Sequence, residues 1–254
     1  MNLLNEVDKF LEQKEKNKLD NLALDCHRPS GYSKCRRELY WMWTKYPVSN
    51  YPTATDIYRM SVGTWIHEGF AKILKEMYGE KVKEEIEFML HPEELKYPIV
   101  GHIDDVISID DEVIGVELKT SFGRGITSIA KDGKPRDEHS DQAKIYLACN
   151  PIDRFKIPYL GRDSFYRTEF DIVMTSESKA KFINKIVAKF KYIEECIEFK
   201  VTPARDFHAV VKDGEIKDKI QHNKVEHKSD WQCLYCNYRD SCYAEEIASF
   251  NICL

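Results

Sequence analysis

Two segments flanking a pair of aspartates, YPIVGHIDDVISI at 97–109 and EVIGVELKTS at 112–121, constrain this chain more than any other feature. Both are rich in β-branched residues, and Asp110 and Asp111 between them suit a hairpin turn. In the second segment Glu117 and Lys119 are two residues apart, so on a strand they share one face. Ile114, Val116 and Leu118 then point the other way, into a core. Antiparallel pairing brings Asp104 toward Glu117, while Asp105 is turned aside by the same alternation. Two neighbouring carboxylates repel each other and call for a cation or a shared proton. A hard divalent ion, Mg2+ or Mn2+, accepts carboxylate and water oxygens. An adjacent lysine can orient water or stabilise charge developing on a phosphate. Together these parts suit phosphodiester hydrolysis. An E-x-K triplet alone is common as an exposed ion pair of little energetic worth; the G-H-I-D stretch at hairpin distance is what raises it to a candidate site.

The remaining sequence fits an α/β class with a mixed sheet. Helices are expected over 3–22, over 58–77 with Ile66, Phe70, Ile73, Leu74 and Met77 buried, over 140–149, and over 176–199. The last of these carries Phe182, Ile183, Ile186, Val187, Phe190, Ile193 and Ile197 on one stripe. Further strands are expected over 84–90 and 170–176. Residues 27–41 and 122–139 read as loops, the second of them basic, with Arg124, Lys131, Lys134 and Arg136. With no internal repeat, low-complexity tract or Gly/Ser-rich linker, a single domain over 1–254 is expected, its core at about 55–200 and appended segments at about 25–45 and 228–254.

Composition bounds the function. No apolar run reaches the length of about 18 residues that a membrane span needs. The charged N-terminus lacks the apolar stretch of a secretory signal. A cytoplasmic protein is expected, in the host cytoplasm if phage-encoded. The net charge of −5 argues against a protein that simply coats DNA, but leaves room for a local basic groove. No G-x-x-x-x-G-K-S/T loop occurs, so this chain holds no ATP-driven helicase.

In a reducing compartment the eight cysteines are expected to be metal ligands or buried thiols rather than disulfides. Cys26, Cys149, Cys196 and Cys253 stand singly in mostly apolar surroundings, which suits packing. Cys233, Cys236 and Cys242, in a C-x2-C-x5-C arrangement, are one short of a tetrahedral site. Spacing alone puts zinc first for such a set.

The ordered pattern G-H-I-D followed by E-L-K resembles the core motif of the PD-(D/E)XK nuclease superfamily, in its RecB-like branch. Gly63 and His67 in GTWIHEGF match that branch's helical G-x-x-x-H. Gln142 and Tyr146 in DQAKIYL match its Q-x-x-x-Y, and His139 stands three positions before the glutamine. The resemblance implies a restriction-endonuclease-like fold, a mixed central sheet flanked by helices. It also implies that His67, Asp104, Glu117 and the backbone carbonyl of Leu118 ligate Mg2+ or Mn2+. Lys119 would be the catalytic lysine, with Gln142 and Tyr146, one helical turn apart, positioning it or the scissile strand.

The cysteine trio, together with Cys35 in SGYSKCRRELYW, is similar to the iron–sulfur subset of that branch, found among CRISPR-associated RecB-like exonucleases and AddB-type nucleases. This implies a four-iron, four-sulfur (4Fe-4S) cluster on Cys35, Cys233, Cys236 and Cys242, joining the ends of the chain. Cys26 is the substitute for Cys35, and zinc the competing metal. The implied activity is a metal-dependent DNA exonuclease acting on single strands or frayed ends, with a helicase, recombination or CRISPR-adaptation partner. Two other readings remain open: a binding or adaptor protein with a degenerate nuclease fold and a structural zinc, and a structure-specific endonuclease of the same fold. Arg36 and Arg37, with Tyr40 and Trp41 as stacking surfaces, join the basic 122–139 segment as candidate nucleic-acid contacts. His27, His91, His102, His208, His222 and His227 are assigned no role.

Overall fold

The turn at Asp110 and Asp111 forms as the sequence suggests. Ile109 pairs with Glu112 across it, and Asp110 takes the left-handed φ of 51° that such two-residue turns demand. The structure, a computed structural model, describes residues 2–164, 166–222 and 225–251. The helices are α1 (Leu3–Asp20), α2 (Arg36–Trp43), α3 (Ala54–Tyr78), α4 (Gly123–Asp132), α5 (Asp137–Cys149), α6 (Ser176–Glu198), α7 (Trp231–Leu234), α8 (Arg239–Cys242) and α9 (Ala244–Asn251). The strands are β1 (Val82–Leu90), β2 (Ile99–Ile109), β3 (Glu112–Val116), β4 (Lys119–Ser121), β5 (Arg154–Gly161), β6 (Arg167–Ile172), β7 (Val210–Lys212), β8 (Glu215–Lys217), β9 (Lys219–His222) and β10 (Val225–Lys228). No helix among the described residues is long and apolar enough to cross a membrane.

The chain divides into two units. One comprises Asp25–Ser33 and Tyr58–Glu194 and carries a six-stranded mixed sheet in the order β1-β2-β3-β5-β4, with β6 on the other flank of β5. β1, β2 and β3 pair antiparallel, whereas β3 and β4 both pair parallel with β5. Their offset against β5 is the same on either side of Glu117 and Leu118, so β3 and β4 are one extended run interrupted at the E-L pair. β5 alternates strictly between half-buried and buried residues, and Phe155, Ile157 and Tyr159 are almost fully enclosed. Burying side chains of this kind stabilises by about 1.5–3 kcal/mol each. Against the sheet, Leu74 packs with Val82, Ile107, Ile114 and Val116, flanked by Phe70 and Tyr78. Gly101, the glycine of G-H-I-D, has no room for a side chain: a Cβ there would lie 2.5 Å from Phe88 and 2.7 Å from Pro29.

The other unit comprises the described residues of Met1–Leu24, Lys34–Ile57 and Glu195–Leu254. Its apolar cluster joins Tyr40 and Trp41 of α2 to Cys196 and Tyr238, with Met42, Val48, Ile197, Cys236 and Cys242 packed against them. α1 forms, but its apolar side chains Leu3, Leu4 and Phe10 are exposed.

Several expectations are corrected. Residues 122–139 are not a loop: α4 occupies most of them, burying Ile126 and Ile129 three apart, and stops at Gly133 with a φ of 66°. The 27–41 segment is a short 3-10 turn at Pro29–Gly31 followed by α2, so its second half is helical. On α3 the buried line runs through Phe70, Leu74 and Tyr78. Ile73 and Met77, one residue or about 100° round the helix, are 54% and 63% exposed. β6 ends at Ile172, short of the expected strand to 176. The two hairpins β7–β8 and β9–β10 were not anticipated, although Asp213-Gly214, both at positive φ, is a strong hairpin signal. Cys26 and Cys196 are buried and Cys149 is half-buried; Cys253 lies outside the described residues.

Candidate functional site

Within the sheet unit, strand alternation and one helix assemble the expected carboxylate–lysine set. Asp105 pairs with Val116 as the last rung of the β2–β3 ladder, so Asp104 and Glu117 stand one step beyond it. On the other side of β2 the ladder to β1 skips one pair, Glu85 opposite Asp104, and Glu85 takes a φ of 49°. Lys119 Nζ donates to Glu117 Oε1 at 2.7 Å and to Gln142 Oε1 at 3.0 Å. Gln142 Nε2 donates to the same Glu117 oxygen at 2.8 Å and to Tyr146 Oη at 3.0 Å. Tyr146 Oη in turn donates to the carbonyl of His102 at 2.8 Å, fastening α5 to β2. Gln142 and Tyr146 can do this because residues four apart share a helix face. From α3, His67 Nδ1 lies 3.3 Å from Asp104 Oδ2, though without hydrogen-bond geometry. Leu118 is buried at the strand interruption.

The site is electrostatically stressed. Glu117 is only 5% exposed, and burial pushes its carboxyl above the usual range; Lys119 draws it back and Asp104 pushes it further. Burial, then the charges of Asp104 and Glu84, raise Asp105 to about 6. His139 does not join the set through its ring. Its Nδ1 lies 2.7 Å from Tyr159 Oη, and burial, followed by the charges of Lys119 and Arg136, lowers it to about 3. Burial also raises the Tyr146 phenol, which therefore stays a proton donor.

Two of the carboxylate oxygens without a hydrogen bond belong to the predicted ion ligands. They are Asp104 Oδ2 and Glu117 Oε2, on the side of Lys119; both are buried and receive no hydrogen bond, as is true of Asp105 Oδ1 next to them. Each such orphan is costly unless something positive meets it. Among the described residues no three His, Cys, Asp or Glu side chains close into a ready single-ion cage. The donor set still suits Mg2+ or Mn2+, because such ions commonly take one or two carboxylates and complete their shell with water.

The thiol site belongs to the other unit. Cys35, immediately before α2, and Cys233, Cys236 and Cys242 all line one cleft of about 350 Å³, counting its open mouth. Each sulfur has a hydrogen-bonding neighbour. Asp206 N–H donates to Cys35 Sγ at 3.4 Å, Tyr238 N–H to Cys236 Sγ at 3.5 Å, and Arg37 Nη1 to Cys242 Sγ at 3.8 Å. Tyr243 Oη lies 3.8 Å from Cys233 Sγ. Burial pushes the thiols of Cys233 and Cys236 up to about 11 and about 12, so without a cation they stay protonated. Four soft thiol donors line one cleft, none of them in a disulfide; thiolates are the donors that iron–sulfur clusters and zinc take, but as placed these side chains do not close into a metal cage. Cys26 is in the sheet unit, not in this cleft.

Comparison with known proteins bears on the fold. No family model matches the sequence, and no curated protein matches it. Solved structures do match. The protein SSO0001 superposes with a TM-score of 0.55 at 17% identity, over 91% of this chain and 94% of its own. An alkaline exonuclease from Laribacter hongkongensis, LHK-Exo, superposes with a TM-score of 0.51 at 16% identity, over 76% of this chain and 95% of its own. A second structure of LHK-Exo, in complex with dAMP, gives the same TM-score. The mixed central sheet flanked by helices is thus a fold this chain shares with SSO0001 and LHK-Exo.

The expected nucleic-acid contacts fare unevenly. Arg124, Lys131, Lys134 and Arg136 are exposed, the first two on α4 rather than on a loop. Arg36 is bound to Asp206 through its backbone N–H and its side chain. Arg37 donates to the Pro203 carbonyl and to the thiol site. Tyr40 and Trp41 are buried, with Trp41 stacked on Tyr46, so neither offers a free stacking face. Residues that pattern reading missed include Arg162 and Phe122, which flank the site through Thr120. A lone arginine after a strand and a lone phenylalanine before a helix carry no spacing signal.

Proposed function

We propose that this chain is a divalent-metal-dependent DNA nuclease, acting as an exonuclease on single strands or frayed ends, with a 4Fe-4S cluster as a structural element. The observation that carries the reading is the closed Glu117–Lys119–Gln142–Tyr146 network beside Asp104, with two buried carboxylate oxygens left open toward a cation. His67, Asp104, Glu117 and the Leu118 carbonyl would hold Mg2+ or Mn2+. When bound, the ion would neutralise the paired acids and polarise water and phosphate. The chain's own part is positional and electrostatic. Gln142 and Glu117 hold the Lys119 ammonium in one place, where it can stabilise charge developing on a phosphate oxygen or orient a water. Tyr146 fixes Gln142 and anchors it to β2. Cys35, Cys233, Cys236 and Cys242 would hold the cluster. The shared fold of LHK-Exo, an exonuclease also solved with dAMP, supports the reading, since a mononucleotide is the product of stepwise strand digestion.

The test is digestion, with Mg2+ or Mn2+ and with chelator, of linear strands labelled at either end beside circular single-stranded DNA. Metal-dependent loss of linear strands with intact circles is the expected outcome. Cut circles would make it an endonuclease. Intact linear strands, in a colourless protein containing zinc, would leave a binding protein on a nuclease scaffold. Anaerobic purification with a visible spectrum and metal analysis decides the cluster.

A further inference from the structure

We propose that Arg162 and Phe122 form a subsite for one backbone phosphate and one unpaired base of the bound strand, beside the scissile bond. This deepens the nuclease reading and rests on it. Arg162 follows β5, and its guanidinium is held in a fixed plane. Nε donates to Thr120 Oγ1 at 2.9 Å and Nη1 to the Arg59 carbonyl at 2.6 Å, while its backbone N–H bonds the Ser121 carbonyl at 2.9 Å. Nη2 has no acceptor among the described residues, and no carboxylate there pairs with Arg162. Arg154, at the start of the same strand, instead pairs with Glu112 and Asp171. Partial burial lowers the Arg162 pKa, which is the mark of a cation short of counter-charge. A planar, half-desolvated guanidinium with a free edge is suited to a phosphate.

The link to the reacting centre runs through β4 and α3. Thr120, which anchors Nε, directly follows Lys119 on β4, with its side chain on the alternate face toward Gly63 of α3. Gly63 makes the space: a Cβ there would lie 3.1 Å from Arg162 Nη2 and 3.2 Å from Thr120 Oγ1. Gly63 stands four residues, about 6 Å along the axis of α3, before His67. Phe122, two residues after Thr120, is 48% exposed with its ring centre 5.9 Å from the guanidinium carbon. An exposed ring beside a fixed cation offers a base a stacking face. Bases in a duplex are already stacked and paired, so this face selects an unpaired one.

The probe is a fluorescein-labelled single-stranded oligothymidylate, with a hairpin duplex as control. Binding is read by anisotropy across a salt series on a Lys119→Ala background, which removes turnover. Arg162→Ala should weaken single-strand binding about tenfold and lower the salt slope by about 0.7, one phosphate contact on a single strand. Phe122→Ala should weaken single-strand binding about fivefold while sparing the duplex. Gly63→Ala should also weaken binding without lowering the melting temperature, because alanine is the better helix former by about 1 kcal/mol. Unchanged affinity and slope in Arg162→Ala, with a parent that binds, overturns the subsite and leaves the nuclease reading standing. A parent that neither binds DNA nor, with Lys119 restored, cleaves it overturns the nuclease reading and this inference with it. Should Arg162→Ala fail to fold, Phe122→Ala decides, since its half-exposed ring can be removed at little structural cost; equal binding to both probes would refute the subsite.

Discussion

The carboxylate site and the thiol site treat their polar atoms in opposite ways. In the first, Lys119 and Gln142 both crowd onto one oxygen of Glu117, while its other oxygen and one of Asp104 are buried and accept no hydrogen bond, with only the His67 ring near the latter. In the second, every sulfur has a backbone or side-chain neighbour within hydrogen-bonding reach. An open oxygen site leaves room for water and substrate to share a cation, as turnover requires. A set of sulfurs already wrapped by donors suits a group that stays put and contributes folding free energy. Under the proposed function, the difference divides chemistry and scaffolding between the two units of the chain.

The largest expected effect tests the open site. Lys119→Ala should lower the cleavage rate about 10²–10⁴-fold with an unchanged circular dichroism spectrum. Near-native turnover would remove the lysine from the chemistry. Next, Glu117→Ala should weaken divalent-ion binding at least about tenfold by calorimetry and leave the iron content alone. Loss of both would show that the two sites are not independent, and the comparison would break. In the other direction, Cys236→Ser should abolish visible absorption and lower the melting temperature by about 10 °C, the shift expected for about 3 kcal/mol in a chain of this size. A colourless variant that melts like the parent would deprive the thiols of a structural role.

The smallest effect concerns pH. His139 is lowered to about 3 in the fold, against about 6.5 when unfolded, so between these values the unfolded chain binds the extra proton. The stability it contributes is complete above pH 6.5 and is lost as pH falls toward 3. Between pH 7.5 and 5 this should cost about 2 kcal/mol. His139→Gln should remove that part of the slope in denaturant titrations; an unaltered slope would place the proton uptake elsewhere.

How much of this was legible varied with sequence distance. The hairpin, the shared face of Glu117 and Lys119, and the meeting of Gln142 with Tyr146 follow from period 2 on a strand and near-period 4 on a helix. α4 was misread because Gly123, Gly125 and Gly133 mask the buried pair Ile126 and Ile129. Tyr40 and Trp41 look like stacking surfaces in sequence yet are buried, because an aromatic residue in a charged segment has no fixed exposure until its neighbours are known.

Local periodicity therefore determined which acids, amide and amine face one another, since alternation and helical pitch act over a few residues and depend little on the rest of the chain. Tertiary structure alone decided what surrounds them: that Gly63 clears space for Arg162, that Cys35 lines one cleft with the trio, and that Asp104 and Glu117 each keep a buried oxygen that accepts no hydrogen bond. Those outcomes depend on contacts between residues dozens to hundreds of positions apart. No local rule specifies such contacts; they are set by which faces the whole chain buries together.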